Sequence, residues 1–258
     1  MRLTGFRRTG VFRLLSRIAH AFLPWQLVER LREKVQGTGY EPPVDRVQFG
    51  SFRRLTPISR TWGYDRGGSI ARYYIERFLA QHREDIRGRV LEITNSRYTQ
   101  QFGDDRVTQS DVLDLTSENT NATNVADLTH GEGVPSGMFD CIILTQTLHV
   151  LEDSQAANHT LHRILKPGGV VLATLPGISP IRPSDWGGYW CGSYLSARSM
   201  FAKVFSAPNV QVQTHGNVLA AIACLEGLGA TELHPSELDY HDPDFEVTIT
   251  VRAVKTNL

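Results

Sequence analysis

The apolar residues change their spacing twice along the chain, and each change marks a different kind of structure. In the first 23 residues Val11, Leu14, Leu15, Ile18, Phe22 and Leu23 recur every three or four positions, which predicts a helix with one apolar face. Pro24 ends or kinks it, and a second helical stretch follows over 26–35, closed by Gly37 and Gly39. Residues 40–69 have no period. They hold Phe49, Phe52, Trp62 and Tyr64, so they read as an ordered connection rather than a solvated linker. Ser69 is placed to cap a helix over 70–82, with Tyr73, Tyr74, Phe78 and Leu79 on adjacent faces.

From residue 88 onward short apolar runs alternate with helical periods. Strands are expected at 89–94 (RVLEIT), 106–111 (RVTQSD), 122–126, 139–144 (FDCIIL) and 169–174 (GVVLAT), the last introduced by the turn Lys166-Pro167-Gly168-Gly169. A helix over 154–165, buried through Ala156, Ala157, Leu161, Ile164 and Leu165, separates the last two. Strand, helix and strand at this spacing form a βαβ unit with parallel pairing and a right-handed crossover. Two more strands are expected at 209–214 and 245–254, the latter strictly alternating. The expected class is α/β: a Rossmann-like, mostly parallel sheet with helices on both faces and an antiparallel C-terminal edge hairpin. The expected domains are a basic amphipathic helical extension, 1–39, and one α/β domain, 40–258.

Charge sharpens that division. The 258 residues carry 27 basic and 27 acidic side chains, and this neutral balance argues against a dedicated nucleic-acid binder. Residues 1–36 nevertheless hold eight basic and two acidic groups, a net of +6, leaving −6 for the rest. Arginines interrupt the apolar stretch of this segment, so it makes a poor secretory signal. Two readings remain: a helix docked on its own domain or a partner subunit, or a membrane-surface or transit-type helix. No apolar run approaches the ~18 residues of a membrane span. Three cysteines, Cys141, Cys191 and Cys224, without a CxxC pair suit a reducing cytoplasm.

In open α/β sheets ligands gather at the carboxyl ends of the strands, so the residues there carry the candidate chemistry. The first strand bears Glu92 and runs into Thr94-Asn95-Ser96. Asp111 follows Glu92 by 19 residues, the spacing of an acid that accepts hydrogen bonds from ribose hydroxyls. Asp127 could accept from an adenine amino group. Thr145 and Gln146 follow the FDCIIL strand, and His149 just beyond them is the candidate general base. Trp186, Tyr189 and Trp190 make an aromatic cluster suited to stacking on a sugar or ring substrate, or to a plain hydrophobic lid. His159 and His162 stand at i, i+3 without a third ligand, so no metal site is expected.

These segments together resemble the class I S-adenosylmethionine (SAM)-dependent methyltransferases of type 11. The likeness rests on RVLEI, the acid at Asp111, NVADLT, FDCIILTQTLHVLED and LHRILKPGGVVLATLPG. DRGGSIARYYIERFLAQH resembles the lead-in helix of a bacterial subgroup sometimes found beside glycosyltransferases, and WGGYW followed by SARSMFAKVF resembles the segment after the fifth strand. One departure stands out: the family's glycine-rich first motif is here Thr94, Ser96 and Tyr98. The resemblance implies SAM as cofactor and methyl transfer to a small molecule or glycan, at a hydroxyl oxygen. With the glycines gone, Arg66 and Tyr73 are candidates to hold the cofactor's carboxylate, Arg66 by a planar two-bond fork. Two other functions stay open. One is a non-catalytic methyltransferase-like binding or partner protein. The other is a nicotinamide-dependent oxidoreductase, disfavoured because the pyrophosphate-binding glycines are missing. The acceptor and the oligomeric state, a homodimer included, are not fixed by the sequence.

Overall fold

The computed structural model describes residues 41–181 and 188–256, together with Leu27. The chain divides into two compact units, Met1–Arg54 and Leu55–Leu258. In the first unit the described residues include a short 3-10 turn, Gly50–Phe52, and the Arg53 guanidinium lies 5.1 Å from the centre of the Phe49 ring. The helices expected over 11–23 and 26–35 lie outside the described residues, Leu27 apart. So do Trp186 and the rest of 182–187.

The second unit is built on a seven-stranded sheet. Its strands are β1 (Gly88–Ile93), β2 (Val107–Asp114), β3 (Asn124–Val125), β4 (Phe139–Thr145), β5 (Leu165–Pro176), β6 (Val210–His215) and β7 (Thr248–Val254), in the order β3-β2-β1-β4-β5-β7-β6. The first five pair in parallel, and β7 runs antiparallel between β5 and β6. The expected antiparallel pair is therefore present at the C-terminal edge. Two helices rather than a tight turn join its strands.

Among the described residues six α-helices accompany the sheet: α1 (Ile70–Gln81), α2 (Arg97–Phe102), α3 (Ser154–Ile164), α4 (Tyr194–Phe205), α5 (Val218–Leu225) and α6 (Pro235–Asp239). Their starts follow from short polar side chains. Asp153 accepts from Ala156 N at 2.8 Å to begin α3, Ser193 and Ser196 close a reciprocal capping box on α4, and Asn217 accepts from Ala220 N at 3.0 Å to begin α5. Ser69 occupies the cap position of α1, but its side chain makes no capping bond; its carbonyl accepts from Tyr73 N.

Cys141–Leu144 of β4 and Val170–Ala173 of β5 are buried on both faces, which is why these stretches read as unbroken apolar runs. On one face Leu161, Ile164, Phe201 and Phe205 from α3 and α4 pack against Ile142, Leu144, Val171 and Val251. On the other, Ile75, Phe78 and Leu79 of α1 join Val90, Cys141, Ile143 and Leu172. A third cluster ties Ile70 and Tyr74 to α5 and α6. The segment before α1 lies against the turn after α5: Ser59 N donates to Glu226 O, and Ala230 N donates to Gly68 O. Gly229 is required there, because a Cβ would fall on the Arg66 carbonyl.

Candidate functional site

Strand order reverses between β1 and β4, so the crevice at their carboxyl ends is where this sheet can take a ligand. The register pairs Ile93 with Leu113 and Glu92 with Ile143, so Thr94, one step beyond the first pair and two beyond the second, stands level with Asp114 on one side and Thr145 on the other. Thr94 has φ 67°, in the left-handed region that β-branched residues avoid. Its N–H donates to Leu113 O at 2.9 Å and Asn95 N donates to Ile93 O at 2.8 Å, closing a three-residue turn. Gln146, at the end of β4, is likewise left-handed at φ 49°. Two non-glycine residues thus hold strained backbone on the two sides of the crevice.

The side chains around this turn anchor the helix that follows it. Glu92 is buried and accepts from Tyr98 N at 3.0 Å, Thr99 N at 2.8 Å and Thr99 Oγ1 at 2.8 Å. It therefore pins the start of α2. Burial raises its carboxyl above the usual range, against the lowering effect of those bonds. The Tyr98 ring packs under α1 with Ile75 and Phe78 and so sits within the core beneath the turn. Asn95 Oδ1 accepts from Arg97 N at 3.0 Å, and Ser96 Oγ accepts from Gln100 Nε2 at 2.9 Å.

The second strand runs three residues past its expected end. Asp111 lies inside it, level with Leu91, and is 3% exposed. Arg89 holds both its oxygens, Nε to Oδ2 at 2.7 Å and Nη2 to Oδ1 at 2.9 Å, and Thr123 and Asn124 add bonds to Oδ1. Burial alone would raise this carboxyl, but Arg89 outweighs it and holds it low. The acid at the strand's end is Asp114, which accepts from Asn119 Nδ2 at 2.7 Å and Thr116 N at 3.2 Å and is held low chiefly by Asn119. The apolar pair Val112-Leu113 after Asp111 was the sequence signal that the strand continues. Asp127 follows β3 and accepts from Thr129 N at 2.8 Å and Thr129 Oγ1 at 2.7 Å, which lowers its carboxyl.

Beyond β4, Gln146 N donates to Thr174 O at 3.0 Å, and Thr147 Oγ1 donates to Thr145 O at 3.0 Å. His149 lies in the 3-10 turn Leu148–Val150. Its carbonyl accepts from Tyr189 N at 2.9 Å and Trp190 N at 3.2 Å, and Trp190 Nε1 donates to Leu151 O at 2.9 Å. The predicted base and two of the predicted aromatics are thereby brought together, with Tyr189 and Trp190 about half exposed. Nδ1 of His149 is buried and has no hydrogen-bond partner among the described residues; burial also lowers its pKa, so the ring is neutral at pH 7.

Arg66 and Tyr73 are committed to acids of the 229–239 segment. Arg66 donates to both oxygens of Glu232, through Nε to Oε2 at 2.9 Å and through Nη2 to Oε1, and holds that carboxyl low. Tyr73 Oη donates to Asp239 Oδ1 at 2.6 Å and accepts from Arg77 at 2.9 Å. Two clefts lie apart from the crevice. One, of about 310 Å³, is lined by Tyr74, Arg77, His215, Asp239 and His241; the other, of about 290 Å³, is lined by Asp85, Arg87, Asp140 and Gly168 at the opposite ends of the strands.

The sequence model of the family described as "Methyltransferase domain" matches residues 75–173, which run from α1 through β1 to β5. Among solved structures, similarity is found to a SAM-dependent methyltransferase from Archaeoglobus fulgidus, at 10% identity and a TM-score of 0.49 over 71% of this chain and 94% of that one. A SAM-dependent methyltransferase from Mesorhizobium loti gives 16% identity and a TM-score of 0.48 over 73% and 99%. The 1,6-didemethyltoxoflavin-N1-methyltransferase of Burkholderia thailandensis gives 12% and 0.47 over 72% and 79%. No curated protein matches the sequence. The matched stretch, residues 75–173, is similar to a methyltransferase domain and makes up less than half of the chain.

Proposed function

We propose that this protein is a SAM-dependent methyltransferase that acts on a small molecule or a glycan and places the methyl group on a hydroxyl oxygen. The observation that carries the reading is the left-handed turn at Thr94, where the chain keeps the backbone of a glycine turn without the glycine. Strain of that kind persists where the surrounding structure enforces it, and here it lies at the switch point of the sheet. With Tyr98 turned into the core, the turn presents backbone and small side chains to a ligand.

The residues fit a SAM nucleoside. Asp114 at the end of β2 takes the ribose hydroxyls, supported by buried Asp111 on the same strand, and Asp127 is placed to accept from adenine. Glu92, Thr94, Asn95 and Ser96 form the turn beside it, and Thr145 and Gln146 the facing wall. When bound, the cofactor supplies an electrophilic methyl group. His149, neutral and with an unpaired buried nitrogen, accepts the proton of the acceptor hydroxyl. Tyr189 and Trp190 stack on the acceptor and, fixed to the His149 and Leu151 carbonyls, position it against that imidazole. Incubation with SAM and a panel of sugars, phenols and amines, read by formation of S-adenosylhomocysteine (SAH), tests this assignment. Turnover confined to amines would contradict the hydroxyl reading.

A further inference from the structure

Three contacts hold the β1 turn. Two are backbone pairs that any residue at 94 would make, Thr94 N to Leu113 O and Asn95 N to Ile93 O. The third depends on one side chain: Asn119 Nδ2, from the loop between β2 and β3, donates to Thr94 O at 2.6 Å. The same nitrogen donates to Asp114 Oδ2 at 2.7 Å. The amide's orientation is dictated by its partners. Oδ1 accepts from Asn121 N at 3.0 Å, and turning the amide over would set oxygen against a carbonyl and a carboxylate. Of the loop residues Leu115–Thr120, Asn119 alone is half-buried, the others being exposed.

We infer that Asn119 is a positioning residue, a clamp that keeps Thr94 in the glycine-like conformation while aiming the Asp114 carboxylate at the nucleoside. The inference rests on the cofactor site proposed above and adds to it. Glycine adopts positive φ without steric penalty, whereas threonine must be held there. Asn119 supplies the restraint from outside the turn, and by sharing one nitrogen it sets the spacing between turn and acid. Sequence patterns cannot reveal this, because a lone Asn in a polar loop has no period.

The clamp predicts non-additive behaviour. Calorimetry with SAH on the full chain compares wild type, Asn119→Ala, Thr94→Gly and the double variant. Asn119→Ala weakens SAH binding about tenfold with Thr94 in place and at least threefold less than that with Gly at 94, where the turn forms without help. Equal losses in both backgrounds, or none, overturn the clamp. Thermal unfolding without ligand decides it separately. Thr94→Gly raises the melting temperature while Asn119 holds the strained turn and raises it less once Asn119 is removed. The same shift in both backgrounds overturns the clamp. Absence of SAH binding by the wild type overturns the cofactor reading instead, and the unfolding experiment still judges the clamp.

Discussion

At the scale of the residue, Asp111 and Asp114, three positions apart on one strand, sit in different surroundings, and the proposed cofactor site gives them different parts. Asp111 is buried against Arg89, and Asp114 stands at the crevice. Asp114→Asn should weaken SAH binding by about 1.5–3 kcal/mol, the range for a hydrogen bond to a charged group, with the melting temperature nearly unchanged. Asp111→Asn should do the reverse. It leaves the Arg89 guanidinium without its charge partner, at a cost of about 2–3 kcal/mol in denaturant unfolding. His149 gives a pH-dependent prediction. Burial depresses its pKa below 6.5, and the base works only when neutral. Turnover should therefore be level at neutral pH and fall as pH drops through that depressed pKa. His149→Gln should lower kcat by about 10²–10⁴ with the SAH dissociation constant unchanged, and a loss in SAH affinity of the same size would remove it from this role. Tyr98 teaches a related lesson. By its size alone it looks like an obstacle in the first motif, but the backbone aims its ring into the core.

At the scale of the element, the sequence shows most where burial is simplest. β4, β5 and α3 were legible because apolar runs and a clean three-four period leave few alternatives. The sequence predicts the second strand only as far as Asp111, whereas it runs on to Asp114. Arg89 on the adjacent β1 neutralises Asp111 in place, a pairing that becomes visible only once the two strands are side by side. For the same reason nothing along the chain singles out Asp114 and Asn119, the acid and the clamp proposed above: their placement depends on register across strands, not on spacing. Arg66 is a further case. Its partner Glu232 lies 166 residues away, on the segment that follows α5. That junction supports a further prediction. Gly229→Ala forces a Cβ onto the Arg66 carbonyl, so the lead-in segment or the turn after α5 must move. The cost should be about 1–3 kcal/mol in denaturant unfolding. An unchanged midpoint would mean that the two segments are not held together in solution.

At the scale of the whole molecule, the charge and periodicity of residues 1–39 set them apart from the sheet-forming remainder, and the compact unit carrying the sheet begins at Leu55. We propose that residues 1–39 are dispensable for folding of the sheet. A chain beginning at Tyr40 should be soluble and melt within a few degrees of the full chain, whereas aggregation or a collapsed melting temperature would make the N-terminal segment part of the folding unit. We propose that the crevice between β1 and β4 binds a SAM nucleoside although the first motif has no glycine. Titration calorimetry of the full chain with SAH and, separately, with NAD tests it most directly. Saturable binding of one SAH per chain, weakened by Asp114→Asn, with no heat from NAD, is the predicted result. Binding of NAD, or no binding of SAH to the folded protein, would contradict it.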